Sequence, residues 1–187
     1  FRIEIPFTRN HWEAAYVARE NPIARGWERQ LDVRYNHLFY RPRLTAARYE
    51  SWLATNGVAY VALPDSKLDF SAVAEARLLR AGIAGLRPSW SSRHWRVWKV
   101  VASRPLASPS PLTTLGREGF TLRSAAPGAT TVRERFTPYW AITSGAGCVE
   151  RAPGGWTKVT ASRAGDIAVG IRFGLGRVFE HGRRCAG

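Results

Sequence analysis

Pro105-Leu106-Ala107-Ser108-Pro109-Ser110-Pro111 is the stretch at which this chain changes character. Three prolines and two serines in seven residues read as a linker or a sharp crossing. Before it, helix and strand signals alternate. After it, almost everything reads as short strands. The expected fold is therefore α+β: a small α/β unit over 1–105, then an antiparallel β-sandwich of jelly-roll-like type over 106–187.

On the N-terminal side, Arg2–Pro6 reads as a strand and Trp12–Ala18 as a short helix. Thr45 is a fair N-cap, and Leu44 can staple onto Tyr49. Tyr49, Trp52 and Leu53 then share one helical face, and Asn56-Gly57 supplies the stop. Val58–Leu63 is nearly continuously apolar, as in a sheet covered on both sides. Ser71–Arg80 reads as a second helix closed by Gly82, and Arg93–Val101 as a strand. On the C-terminal side the expected strands are Gly119–Ser124, Thr131–Thr137, Trp140–Thr143, Cys148–Arg151, Trp156–Thr160, Asp166–Phe173 and Arg177–Glu180. Pro127-Gly128, Gly145-Ala146-Gly147, Pro153-Gly154-Gly155, Ala164-Gly165 and Gly174-Leu175-Gly176 punctuate them. Seven short strands at regular spacing suggest a sandwich.

The 187 residues are 45% hydrophobic, with eight Trp and eight Phe, which is enough for a packed core. The chain carries no Met and opens on Phe1-Arg-Ile-Glu-Ile-Pro6, so an N-terminal segment is expected to have been removed, or the chain to be a piece of a larger one. No apolar run approaches the roughly 20 residues of a membrane span, and no signal peptide is recognisable. The chain as given is expected to be soluble.

Net charge is +14, with 25 Arg against three Lys (Lys67, Lys99, Lys158). Such a balance suits an anionic partner. The basic residues are spread evenly, however, with no run of five like charges. That favours compositional bias and general solubility over a selected partner. The two cysteines, Cys148 and Cys185, lack zinc-ligand spacing, and from their number alone a disulfide and two buried thiols stand level.

No phosphate-binding glycine loop, dinucleotide fingerprint, zinc-protease helix or serine-hydrolase elbow is present. The four histidines, His11, His37, His94 and His181, have no helical ligand spacing, so no metal site and no cofactor are expected. The densest polar and aromatic stretches are His11-Trp12-Glu13 and Arg25-Gly26-Trp27-Glu28-Arg29-Gln30-Leu31-Asp32. A Trp flanked by Arg, Glu and Asp suits a sugar, with the ring stacking on a pyranose and the polar groups meeting its hydroxyls. Glu13, Glu28 and Asp32 could also supply paired carboxylates for glycosyl chemistry. The competing reading places Trp12 and Trp27 in the core, with Arg25/Glu28 and Arg29/Asp32 as local ion pairs. Along 93–99, His94, Arg96 and Trp98 alternate on one strand face. Base stacking between phosphate contacts is conceivable there, but alternation with amphipathic Arg explains the pattern, and nucleic acid is not the expected partner. Trp140 and Trp156 could form a sugar platform and more often fill the space between sheets.

The series Asn10-His11-Trp12-Glu13-Ala14, Ala24–Gln30, Asn56–Asp65, Trp95-Arg96-Val97-Trp98 and Thr137-Pro138-Tyr139-Trp140 resembles the C-terminal tail of actinobacterial multi-pass membrane proteins that look like class C glycosyltransferases. Those enzymes take sugars from polyprenyl-phosphate carriers outside the cytoplasmic membrane. The resemblance implies that the rest of the chain is a membrane-embedded bundle holding the catalytic acid. This region would then be a non-catalytic extracytoplasmic domain that assists acceptor or cell-envelope glycan recognition. It implies an oxidising location, and with it a Cys148–Cys185 disulfide. His11, Glu13, Arg25, Trp27, Glu28, Arg29 and Asp32 become the expected substrate-binding residues, with Arg25 and Arg29 available to a carrier phosphate. The alternatives are a basic module for anionic polymers or lipid headgroups, and a stand-alone secreted carbohydrate-active enzyme.

Overall fold

The structure is a computed structural model that describes residues 1–26, 29–174 and Cys185. The protein is α+β and divides into two compact units, Phe1–Arg104 and Pro105–Gly187.

The first unit is built on a four-stranded sheet of β1 (Arg2–Glu4), β2 (Val58–Pro64), β3 (Leu86–Ser91) and β4 (Trp95–Val100), in the order β1-β2-β4-β3. β1 and β2 are parallel, and a parallel pair needs a long crossover. Here the crossover carries α1 (Trp12–Val17), α2 (Arg29–Tyr35), a 3-10 turn at His37–Tyr40 and α3 (Ala46–Thr55). β1 is shorter than Arg2–Pro6 because Pro6 has no N–H to give to a ladder. Thr45 caps α3, its hydroxyl accepting from the Arg48 N–H at 3.4 Å. Gly57, at φ 67°, turns the chain out of the helix.

Tyr49, Trp52 and Leu53 are the buried face of α3. Phe39 stands edge-on to the rings of both Tyr49 and Trp52, and the three pack with Val58, Val61 and Leu63 of β2. α4 (Val73–Ala81) follows β2 and adds Ala76 and Leu79 to this core. It starts two residues later than Ser71, after a 3-10 turn at Phe70–Ala72 whose first N–H groups are capped by Asp69. The Asp69 carboxylate accepts from the Ser71 N–H at 3.0 Å.

Among the described residues, the second unit has eight strands: β5 (Ala107–Ser108), β6 (Leu112–Leu115), β7 (Gly119–Ser124), β8 (Gly128–Arg135), β9 (Trp140–Ser144), β10 (Gly147–Arg151), β11 (Trp156–Ala161) and β12 (Gly165–Ile171). They form two antiparallel sheets, β10-β11-β8-β5 and β6-β7-β12-β9. Val132, Val149, Val159 and Ala161 of one sheet share a core with Phe120, Leu122, Trp140, Ile167 and Val169 of the other, so the unit is a sandwich. The proline-rich stretch is not a free linker. Leu106 and Ala107 are buried, and Ala107 pairs with Val132. The strand expected at Arg177–Glu180 lies outside the described residues. Cys148 of β10 is disulfide-bonded to Cys185.

Candidate functional site

Arg25 is placed by β1. Ile23 forms a parallel bridge with Ile3, and the Ala24 N–H donates to the Ile3 carbonyl at 2.8 Å. The next side chain, Arg25, is thereby driven beneath the sheet, where it is only 2% exposed. Its Nε and Nη2 donate to the two Asp32 oxygens at 3.0 and 2.8 Å. Its Nη1 lies 3.4 Å from Glu75 and 3.5 Å from Glu4. The rings of Phe7 and Phe39 stand 4.0 and 3.8 Å from its guanidinium carbon. Asp32 accepts further from Asn36 (2.9 Å) and Tyr40 (2.6 Å), and Tyr49 donates to Glu75 at 2.6 Å.

This arrangement overturns the expectation that Arg25 and Asp32 contact a sugar or a carrier phosphate. Both are sealed in the first unit, their polar atoms turned to one another. Nor does Asp32 pair with Arg29. Arg29 is instead bidentate to Asp69, at 2.9 and 3.4 Å, with its guanidinium 4.9 Å from the Phe70 ring. Partial burial would raise Asp69, but bonds from Arg29 and Ser71 hold it down to about 2. Glu13 accepts from the Thr8 hydroxyl. Against the opposing effect of partial burial, bonds from Ser66 and Thr8 hold its carboxyl below the ordinary range.

His11 adopts a left-handed backbone (φ 58°) at the start of α1, its ring edge-on to Phe7 at 4.7 Å. Glu13 thus links the neighbouring segments 7–13 and 66–70, which the Thr8–Leu68 bridge also holds together, while His11 packs within the first and Arg29 ties α2 to the second. Trp12 is exposed, not core. Trp27 and Glu28 lie outside the described residues. With Asp32 buried and Glu13 engaged, these two carboxylates do not form the open pair that glycosyl chemistry needs.

The buried cluster sets one guanidinium against three carboxylates, so full ionisation would leave an excess of negative charge without water. Burial pushes Glu75 up to about 7, and burial together with the charge of Glu75 raises Glu4 well above the carboxylate range. A carboxyl raised in the fold binds its proton more tightly folded than unfolded. Its contribution to stability is fully present below the ordinary carboxylate pKa, near 4.5, and is lost as pH rises through the folded value near 7. Thermal melts followed by circular dichroism should therefore show the Tm of the first unit falling between pH 5 and 8. Glu75→Gln should flatten that slope. A wild-type Tm that is constant over this range would rule the account out.

An open site lies elsewhere in the first unit, between the end of α4 and the β3–β4 hairpin. Pro88 pairs with Trp98, and a register shift then sets Trp90 opposite Val97. Strand alternation puts Arg96 and Trp98 on the same face of β4. The result is a groove of about 600 Å³ whose wall includes Leu79, Arg80, Pro88, Trp90, Arg96 and Trp98. A smaller recess of about 290 Å³ shares Arg80 and Arg96 with it and is also lined by Asp65, Arg93, His94 and Trp95. Trp90 is 58% exposed, an unusual degree for so large an apolar ring. The acid in this lining, Asp65, is engaged by His94 Nδ1 at 2.7 Å. Among the described residues, none of the ion pairs involves Arg80, Arg93 or Arg96. Among the described residues, no group of three or more His, Cys, Asp or Glu side chains is placed so that it could hold a metal ion.

The groove was not singled out by sequence reasoning. Its signal was present as Trp90, Trp95 and Trp98 interleaved with Arg93 and Arg96, but strand alternation accounted for the same pattern. Of the other aromatic residues considered as a sugar platform, Trp140 is core, donating to the Arg135 carbonyl at 3.0 Å. Trp156 lies under the Arg135 guanidinium at 4.0 Å.

Comparison with models of protein families, with curated proteins and with solved structures finds no match to this chain. Among the described residues, no helix is long and apolar enough to cross a membrane.

Proposed function

We propose that this chain is a non-catalytic glycan-recognition domain, the extracytoplasmic part of a glycosyltransferase-like membrane protein of cell-envelope assembly. The observation that carries the reading is the Trp90 groove. A half-open aromatic face beside Pro88 and Trp98 offers a pyranose the flat apolar surface it stacks on, and guanidinium groups at the rim can meet its oxygens. The Cys148–Cys185 disulfide supports an oxidising compartment. The sequence likeness to the tails of class C glycosyltransferase-like proteins supports the wider setting.

Calorimetric titration of the protein with envelope-derived oligosaccharides tests the reading. Trp90→Ala should weaken binding at least tenfold while leaving the melting temperature within a degree or two, because the ring is mostly in solvent. Undiminished affinity in that variant would remove the groove from consideration.

A second reading, a basic module for anionic polymers or lipid headgroups, is favoured by the net charge of +14. It requires affinity that falls steeply with salt and is indifferent to Trp90.

A further inference from the structure

We infer that the ligand of the Trp90 groove is an acidic glycan, a pyranose chain bearing a carboxylate or phosphate substituent. The inference rests on the glycan reading above and goes further by assigning the charge. Arg80 comes from the last turn of α4, Arg96 from β4, and Arg93 from the hairpin turn, yet all three line the smaller recess, and Arg80 and Arg96 line the larger groove as well. Cations gathered on one surface repel one another, and a surface serving solubility alone would space them or pair them with acids. The one lining acid, Asp65, faces His94. With three Arg against that one acid, the recesses carry a net positive charge beside an aromatic wall.

The chemistry of the cations narrows the ligand further. All three are Arg, whose planar fork matches the two oxygens of a carboxylate or phosphate. Arg96 and Trp98 are two residues apart on β4, about 7 Å along the strand. That separation lets one sugar ring stack while a substituent on the same or the next ring meets the guanidinium. A nucleic-acid strand would want a continuous track of cations. Neither Arg87 nor Lys99, which pair across β3 and β4, lines either recess, so they do not extend the three arginines into a track.

The test is calorimetry on the whole protein at low salt, with six probes. These are an oligogalacturonate, a hexose 1-phosphate, a neutral malto-oligosaccharide, inorganic phosphate, a single-stranded oligonucleotide, and phosphatidylglycerol vesicles. The expected result is binding of the uronate or the hexose phosphate at least tenfold tighter than the neutral sugar, and the stronger of the two names the anion. Arg80→Gln and Arg96→Gln should each cost about tenfold or more, the loss expected for a charge-assisted hydrogen bond. Both side chains are exposed, so melting temperatures should hold.

Equal binding of the neutral oligosaccharide, untouched by the arginine variants, would overturn the acidic assignment and leave the glycan reading standing. Inorganic phosphate, oligonucleotide or vesicles binding as tightly as the sugars, with Trp90→Ala without effect, would overturn both. So would the absence of binding by every probe.

Discussion

Arg25→Met should destabilise the first unit by about 3–5 kcal/mol, the cost of removing one partner from a buried ion cluster. The guanidinium is the only cation facing Glu4, Asp32 and Glu75 among the described side chains of that cluster, and none of the four has solvent access. Methionine would fill much of the space between Phe7 and Phe39 but would leave the carboxyls facing one another across an apolar gap. They would have to take up protons or draw in water, either at the expense of the native fold. Urea unfolding followed by circular dichroism measures the loss. Arg29→Met is the natural control: it breaks an ion pair whose arginine side chain is 43% exposed, which is worth no more than about 1 kcal/mol. Similar losses in the two variants would mean that the cluster is hydrated in solution. If the loss comes from unpaired acid, combining Arg25→Met with Glu75→Gln should return part of it, because the double variant buries less uncompensated charge.

Reduction of the Cys148–Cys185 bond should destabilise the second unit by about 4 kcal/mol. The two cysteines are 37 residues apart, and closing a loop of that length removes about that much chain entropy, at room temperature, from the unfolded state. The bond also anchors β10, which ends the order of the described strands of its sheet and pairs with β11. Cys148→Ser with Cys185→Ser should lower the unfolding midpoint of this unit in urea while leaving that of the Arg25 cluster in place. A shift of less than about 1 kcal/mol would show that the packed core of Phe120, Val132, Val159 and Ile167 holds the sandwich by itself.

Much of the fold was legible because its signals are local. Thr45, the Tyr49-Trp52-Leu53 spacing and Asn56-Gly57 define α3 within a dozen residues, and the structure keeps cap, face and stop. The strands β7 to β12 were legible for the same reason: period-two burial between glycine and proline turns. Three strands escaped: β3, β5 and β6. β5 and β6 sit in and beside the proline cluster, where punctuation hides a strand that exists only because β8 and β7 are there to pair with it. α2 is inverted relative to the usual rule, burying Asp32 while Leu31, Val33 and Tyr35 face outward, so hydrophobic periodicity could not reveal it.

The sites divide along the same line. From composition and spacing the chain could show that it is α+β, rich in arginine and tryptophan, and without a common catalytic signature. It could not show which arginines are spent inside. Arg25 is surrounded by carboxylates from residues 4, 32 and 75, and Arg80 meets Arg96 only because α4 ends beside the β3–β4 hairpin. An arginine in a sequence is the same residue whether it neutralises a buried acid or waits for a ligand. The distinction is made by burial and by the charges that other elements bring within a few ångströms, and those are properties of the folded chain alone.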